Sequence, residues 1–290
     1  MSSLTVLGSC GAWPEAGRAC SGFVLDHAGS RIVLDLGYGT IARLLEHCDS
    51  PAADGIDAVI VTHQHADHCV DLHALYRVRW FLRRDAPPIP LFAPPGVIRA
   101  LSAMDDDFAT DFGEVFDWTA LPSGPHPVGP FELTSFDLPH YVPNAGVRLA
   151  APDVTVAYTG DTGPDPLLTD LGRDADLFMI EATDARRSTS AGTLTPTFHM
   201  TAAEAGQAAT AAGAQRLLLT HFWPGIDREE SRRQAEACFD GEVLVASEGL
   251  VVTWDSPGRA RTSKTTPTRR PQQVWLGRFE ESPQVRPVST

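Results

Sequence analysis

The 290-residue chain has no apolar run near the ~18–20 residues a membrane-spanning helix needs, so no such helix is expected. It also lacks a basic stretch ahead of an apolar N-terminus. Met1-Ser2-Ser3-Leu4-Thr5-Val6-Leu7-Gly8 reads as a first strand and not as a secretory signal. Cysteine is scarce: Cys10, Cys20, Cys48, Cys69 and Cys238 are odd in number and contain no Cys-x-x-Cys pair. A disulfide framework or thiolate zinc site is therefore not expected, and reduced thiols fit a cytoplasmic location. Positive charge is short as well, with 23 Lys and Arg against 37 Asp and Glu and a net charge of −14. That balance argues against a broad electrostatic grip on nucleic acid. A small phosphorylated substrate stays open, because bound metals reverse the local field. What is present, 43% hydrophobic and 21% charged residues, is an ordinary globular mixture able to bury a core.

The charge is uneven. Residues 256–290 are rich in Pro, Ser, Thr and Arg and carry a net +5, so residues 1–255 carry −19. This shift divides the chain into a catalytic body, 1–255, and a basic C-terminal tail, 256–290. Trp275, Leu276 and Phe279 interrupt the tail and give it a means of docking on the body or on a second subunit.

Within the body, short strands alternate with helices. Strands are expected at Leu4–Leu7, Gly22–Asp26, Arg31–Asp35, Asp57–Thr62, Ile89–Ala93, Phe131–Leu138, Val154–Thr159, Leu177–Glu181, Arg216–Thr220, Glu242–Ala246 and Leu250–Trp254. Helices are expected at Ile41–His47, Val70–Arg83, Asp165–Leu171, Thr201–Ala212 and Arg228–Phe239. The order indicates a layered α/β domain.

The chemistry gathers where these strands end. His63-Gln64-His65-Ala66-Asp67-His68 follows the apolar strand Asp57–Thr62. Three imidazoles and a carboxylate so close would repel as cations, and a metal resolves this by binding neutral nitrogens and a carboxylate oxygen. His140, Asp161, His221 and Asp35 each stand just beyond or at the end of a strand. Singly they read as caps or turn formers; together they supply ligands for two metals.

This set of residues resembles the metallo-β-lactamase superfamily over nearly all of residues 4–254. The resemblance implies an αββα four-layer sandwich with a dinuclear site at the edge of its sheets. It implies that His63, His65 and His140 hold one metal and that Asp67, His68 and His221 hold the other. Asp161 would bridge the two, and Asp35 would orient a ligand from behind. Asp67 would also serve catalysis. The cofactors implied are two divalent ions, Zn²⁺ with Mn²⁺ as the alternative.

Glu181, His199 in His199-Met200-Thr201, and Gly146-Val147-Arg148 are similar to the ribonuclease Z and cyclic-nucleotide phosphodiesterase branch, in which a Glu–His pair assists phosphodiester cleavage. A metal-bridging hydroxide would attack phosphorus while His199, held by Glu181, protonates the leaving oxygen. His140 and Asp161 stand only 21 positions apart, room for a hairpin and not for the long arm of transfer-RNA maturation enzymes. The expected substrate is thus a small phosphodiester, a cyclic nucleotide among the candidates, and not transfer RNA or a membrane; the family implies a homodimer. The alternative is a metallo-hydrolase of a thioester, lactone or other non-phosphate ester. Arg148 and the basic residues of 72–84 are weighed as phosphate contacts against a solvated helix face, Asp105-Asp106-Asp107 as a solvated turn, and Cys69 as a packed thiol. His27, His47, His73 and His126 receive no role.

Overall fold

The computed structural model describes residues 2–184, 197–255 and the backbone of a strand at 259–264. Two mixed sheets form the centre. The first contains β1 (Ser2–Gly8), β2 (Gly22–His27), β3 (Ser30–Leu36), β4 (Ala58–Ile60), β5 (Ile89–Ala93) and β6 (Phe116–Ala120). The second contains β7 (His126–Val128), β8 (Phe131–Leu138), β9 (Asn144–Ala150), β10 (Thr155–Tyr158), β11 (Leu177–Glu181), β12 (Arg216–Thr220) and β13 (Glu242–Val245). The chain then returns to the first sheet through β14 (Leu250–Asp255) and β15 (Arg259–Lys264), giving the orders β15-β14-β1-β2-β3-β4-β5-β6 and β13-β12-β11-β10-β9-β8-β7.

Alternation along the strands assigns the layers. Leu4, Val6, Phe23, Leu25, Ile32 and Leu34 face the second sheet and pack with Phe131, Leu133, Val147, Leu149 and Tyr158. Their neighbours Leu7, Val24 and Val33 face the other way. They meet Leu72, Leu75 and Tyr76 of helix α2 (Ala66–Leu82), under which α1 (Thr40–Leu45), α3 (Pro95–Ser102) and α4 (Asp106–Asp111) also lie. On the second sheet, Phe178, Ile180, Leu217 and Leu219 are covered by α5 (Leu167–Leu171), α6 (Ala202–Ala212) and α7 (Arg228–Glu236). The molecule is an αββα sandwich, as expected.

Several boundaries differ from those read in the sequence. Helix α2 begins at Ala66, with His65 at its cap, and not at Val70, so Asp67 and His68 occupy its first turn. A carboxylate is favoured there by the positive end of the helix. The strand at Asp57–Thr62 pairs only over Ala58–Ile60; Thr62 leaves the ladder to donate its N–H to Asp35. Pro94-Pro95-Gly96 ends β5 but also opens α3, because proline at the first helical position sacrifices no bond. The acidic run at 105–107 is no free turn. Asp105 caps α4 by accepting from the Asp107 N–H, and it pairs with His73 Nε2 at 2.6 Å and with Arg77. The segment between His140 and Asp161 is used up by β9 and β10, which pair antiparallel through a short turn. Beyond β14, β15 pairs antiparallel with it; Trp275, Leu276 and Phe279 lie outside the described residues.

Phe23 is fully buried between the sheets, its ring edge-on to Tyr158 at 5.3 Å between centroids. Phe23→Ala is therefore expected to lower unfolding free energy by about 3–5 kcal/mol. Urea denaturation followed by circular dichroism in EDTA measures this without a contribution from bound metal; a loss below about 1 kcal/mol would contradict the assigned core.

Candidate metal centre

The parallel strands of both sheets point their carboxyl ends to one edge, where ligands of open α/β sheets are held. Asp35 ends β3; His63, His65, Asp67 and His68 follow β4; Asp161 follows β10; Glu181 ends β11; His221 follows β12. His140 comes from the loop joining β8 to β9. The fold brings all seven proposed ligands together. Donor atoms of His63, His65, His140 and Asp161 lie within 4.8 Å of one another, as do those of Asp67, His68 and His221. Asp161 sits between the groups, with Oδ1 3.2 Å from His68 Nε2 and Oδ2 3.3 Å from His221 Nε2 and 3.7 Å from His140 Nε2.

The outward-facing ring atoms decide which lone pairs point inward. His68 Nδ1–H donates to Asp35 at 2.8 Å, and His140 Nδ1–H donates to the Phe198 carbonyl at 3.1 Å. Thr62 gives its hydroxyl proton to Asp35, so its oxygen accepts from His63 Nδ1–H at 3.1 Å. Thr183 donates to the His221 carbonyl, so its oxygen accepts from His221 Nδ1–H at 2.7 Å. Four rings are thereby locked with bare Nε2 atoms facing the cluster. His65 instead turns Nδ1 inward, 3.1 Å from both His63 Nε2 and His140 Nε2.

Converging lone pairs repel unless a cation lies among them. The donors' spacing suits one, since ligands ~2.0–2.1 Å from a tetrahedral ion stand roughly 3.3 Å apart. The fully buried atoms His68 Nε2 and Asp161 Oδ1 face each other at 3.2 Å without the geometry of a hydrogen bond, a costly arrangement that ligation of a shared metal would relieve. The residues present therefore fit divalent metal. Burial holds His63 well below the ordinary histidine range and brings His140 down to about 4, which favours neutral rings. At His68 burial acts the same way, but the Asp161, Asp67 and Asp35 carboxylates outweigh it and raise the ring well above that range, a demand for positive charge that a bound cation would meet in place of the proton.

The two halves are tied by close backbone approach. Ala12 N–H donates to Asp67 Oδ2 at 2.6 Å, and Gly11 lies so flat on His221 that a Cβ would stand 2.6 Å from Cε1. At Gly37 a Cβ would stand 1.8 Å from the Asp67 carbonyl oxygen. Asp35 and His221, at φ of 55° each, occupy left-handed backbone that costs non-glycine residues energy and that clusters at functional sites.

His199 is in the same pocket. Its Nδ1 lies 3.0 Å from Glu181 Oε2, and Thr162 N–H donates to Glu181 Oε1 at 2.6 Å. A ring nitrogen of His199 also groups with Asp161 and His221 donors within 4.8 Å. Burial opposes a charge on this ring, but the Glu181 hydrogen bond and charge outweigh it and lift the pKa to about 9. Burial raises the Glu181 carboxyl, against the His199 contact.

Other sequence readings change. Arg148 donates to the Leu171 carbonyl at 3.1 Å and takes no part in the cluster. The basic residues of α2 and just past it form a largely solvated face tied down by surface ion pairs and not a phosphate site: Arg77 pairs with Asp105 and Asp107, Arg83 with Asp54 and Arg84 with Glu114, while Arg79, buried, also pairs with Asp54. Cys69 is a packed thiol, pushed up to about 12 by burial. Thr62, Thr183, Tyr158 and the 11–12 backbone complete the site beyond the residues named from the sequence. Thr62 and Thr183 stand beside motif residues, which is a signal; backbone donors leave none.

An αββα sandwich with a His/Asp cluster at its strand ends is the architecture of a metal-dependent hydrolase. Residues 30–222 match the family model described as Beta-lactamase superfamily domain, and the chain belongs to that superfamily. It is 32% identical over 267 residues to the Mycobacterium leprae protein ML1173, covering 88% of this chain and 90% of that one. It is 30% identical over 253 residues to the protein of Bacillus subtilis named Probable metallo-hydrolase YhfI, covering 86% and 98%. The YhfI crystal structure superposes with a TM-score of 0.74 over 88% of this chain and 100% of that chain. Ribonuclease Z of Mycobacterium sp. strain KMS is 28% identical over 275 residues, covering 86% and 94%.

Asp35→Asn is expected to keep the fold, since Asn tolerates left-handed backbone, while setting an amide against the His68 Nδ1–H donor. Metal affinity should fall about 10- to 100-fold, the usual effect of losing a partner behind a ligand. Competition with a chromophoric chelator measures it, and unchanged affinity would refute the orienting role.

Proposed function

We propose that the protein is a phosphodiesterase for a small phosphodiester, with a cyclic nucleotide among the substrates it accepts. The observation that carries this reading is the His199–Glu181 contact of 3.0 Å inside the pocket that holds Asp161 and His221. Cleaving a phosphodiester expels a strongly basic alkoxide, and a positioned proton donor beside the phosphate serves that departure. Glu181, fixed by the Thr162 N–H, orients the ring through Nδ1, so that Nε2 transfers the proton to the leaving oxygen.

In this reading His63, His65 and His140 hold one divalent cation, Asp67, His68 and His221 hold a second, and Asp161 reaches both. Zinc suits the nitrogen-rich donors, with manganese the alternative. Bound cations lower the pKa of water toward neutrality and offset charge on phosphate oxygens. Asp67, anchored by Ala12 N–H, keeps a carboxylate at the mouth of the site. The name of the ribonuclease Z relative, an enzyme of phosphodiester bonds, supports the reaction class. The tight β9–β10 turn and the acidic body favour a small substrate over transfer RNA.

Paired assays on bis(p-nitrophenyl) phosphate and a p-nitrophenyl carboxylic ester, with zinc- and manganese-loaded protein, test the proposal. Turnover of the diester, lost in Asp161→Ala together with metal, is the expected result. Turnover of the ester alone would replace the proposal with a thioester, lactone or other ester hydrolase.

His199→Ala should lower turnover of a cyclic nucleotide, whose leaving oxygen is a basic alkoxide, about 10²- to 10⁴-fold, the range of general acid catalysis, and that of bis(p-nitrophenyl) phosphate much less, with metal content unchanged by elemental analysis. Loss of metal in that variant would make His199 a ligand and not a proton donor.

A further inference from the structure

Four exposed aromatic side chains gather at the mouth of the metal centre. Trp13 is 50% exposed, Tyr38 38%, Tyr141 67% and Trp223 42%. Tyr38, Tyr141 and Trp223 line the same cavity of about 340 Å³ as His65, Asp67, Asp161, His199 and His221. Trp13 adjoins it, its ring 6.0 Å from that of Trp223. Isolated exposed apolar residues need no explanation, but a cluster of large rings around a polar floor marks a ligand surface.

The rings are held in place. Gly11 N–H donates to the Phe222 carbonyl and Phe222 N–H to the Ser9 carbonyl, so Trp13 and Trp223 project from two segments stapled together by backbone bonds. Ala12 N–H on Asp67 fixes the same loop to the ligand set. The His199 ring contacts both walls, 6.0 Å from Tyr141 and 6.3 Å from Trp223, and Tyr141 is backed by Phe198 at 4.4 Å. A planar group stacked on Trp223 would thus lie within one ring of His199 and of the Asp161–His221 donors. Platforms fixed before binding hold a ligand without the cost of ordering loops.

We propose that Trp223, with Trp13 beside it and Tyr141 across His199, forms a stacking subsite for the nucleobase of a nucleotide whose phosphate occupies the metal centre. This rests on the phosphodiester reading, which supplies the phosphate end. Every base has a π-face, so the subsite selects for a base while discriminating weakly among bases.

Calorimetric titration of the zinc-loaded full chain with adenosine 5′-monophosphate and with ribose 5-phosphate, which differ in the base, tests it. The base-bearing ligand should bind roughly 10- to 100-fold tighter, the range that base–aromatic stacking spans, and should quench tryptophan fluorescence. Trp223→Ala should erase that preference without weakening ribose 5-phosphate, and Trp223→Phe should restore most of it. If Trp223→Ala loses both ligands, the same comparison in Trp13→Ala, where the preference should shrink, decides. Equal affinity for the two phosphates in the wild type, or an undiminished preference in the alanine variants, overturns the subsite. The comparison needs no turnover, so ester-only activity in the paired assays would sink the diester reading separately.

Discussion

The centre depends on one buried carboxylate. Asp35 is fully inaccessible, stands at the end of β3 and accepts from four donors: Thr62 N–H, the Thr62 hydroxyl, His68 Nδ1–H and the Tyr158 hydroxyl. These donors come from the segment after β4, from α2 and from β10 of the opposite sheet. A buried carboxylate is costly unless its lone pairs are satisfied, and these four contacts satisfy them while tying both sheets to the ligand loop. Through Thr62 the same carboxylate sets the tautomer of His63, and directly it sets that of His68.

The remaining ligands are fixed by the same logic with different partners. The Phe198 carbonyl and Thr183 hydroxyl hold His140 and His221 with Nε2 inward, and two glycines admit backbone where no Cβ fits. The left-handed backbone at Asp35 and His221 is the cost of turning a buried strand abruptly into a ligand loop. Strand pairing and core packing on both faces of each sheet offset it. The proposed reaction uses the result economically: a cluster of neutral imidazoles and carboxylates for metal, one Glu-held histidine for the proton, and aromatic rings at the mouth for whatever the phosphate carries.

Much of this was legible in the sequence for a simple reason. The ligand motif His63-x-His65-x-Asp67-His68 is local, and the other ligands stand just past apolar runs whose strand character is plain. Boundaries read less well. The start of α2 was masked because its first turn is also the ligand run, and α3 was masked because Pro94-Pro95-Gly96 serves both to end a strand and to open a helix. The ion pairs that tie down the basic face at and after α2 are not legible, since the acidic partners Asp54, Asp105 and Glu114 lie about 25 to 30 positions away.

By itself, the sequence determined the layered class and the candidate metal ligands, because residue type and position after a strand mark them, while the Glu181–His199 pair was legible through resemblance to a family. The tertiary structure alone decided which ring nitrogens face inward, that Arg148 is spent on a carbonyl, and that Trp13, Tyr38, Tyr141 and Trp223 meet at one mouth. Those facts depend on hydrogen bonds and ring contacts between residues as far apart as Asp35 and Tyr158 or Trp13 and Trp223. No local pattern encodes such contacts; they exist only once two sheets have packed and brought their strand ends together.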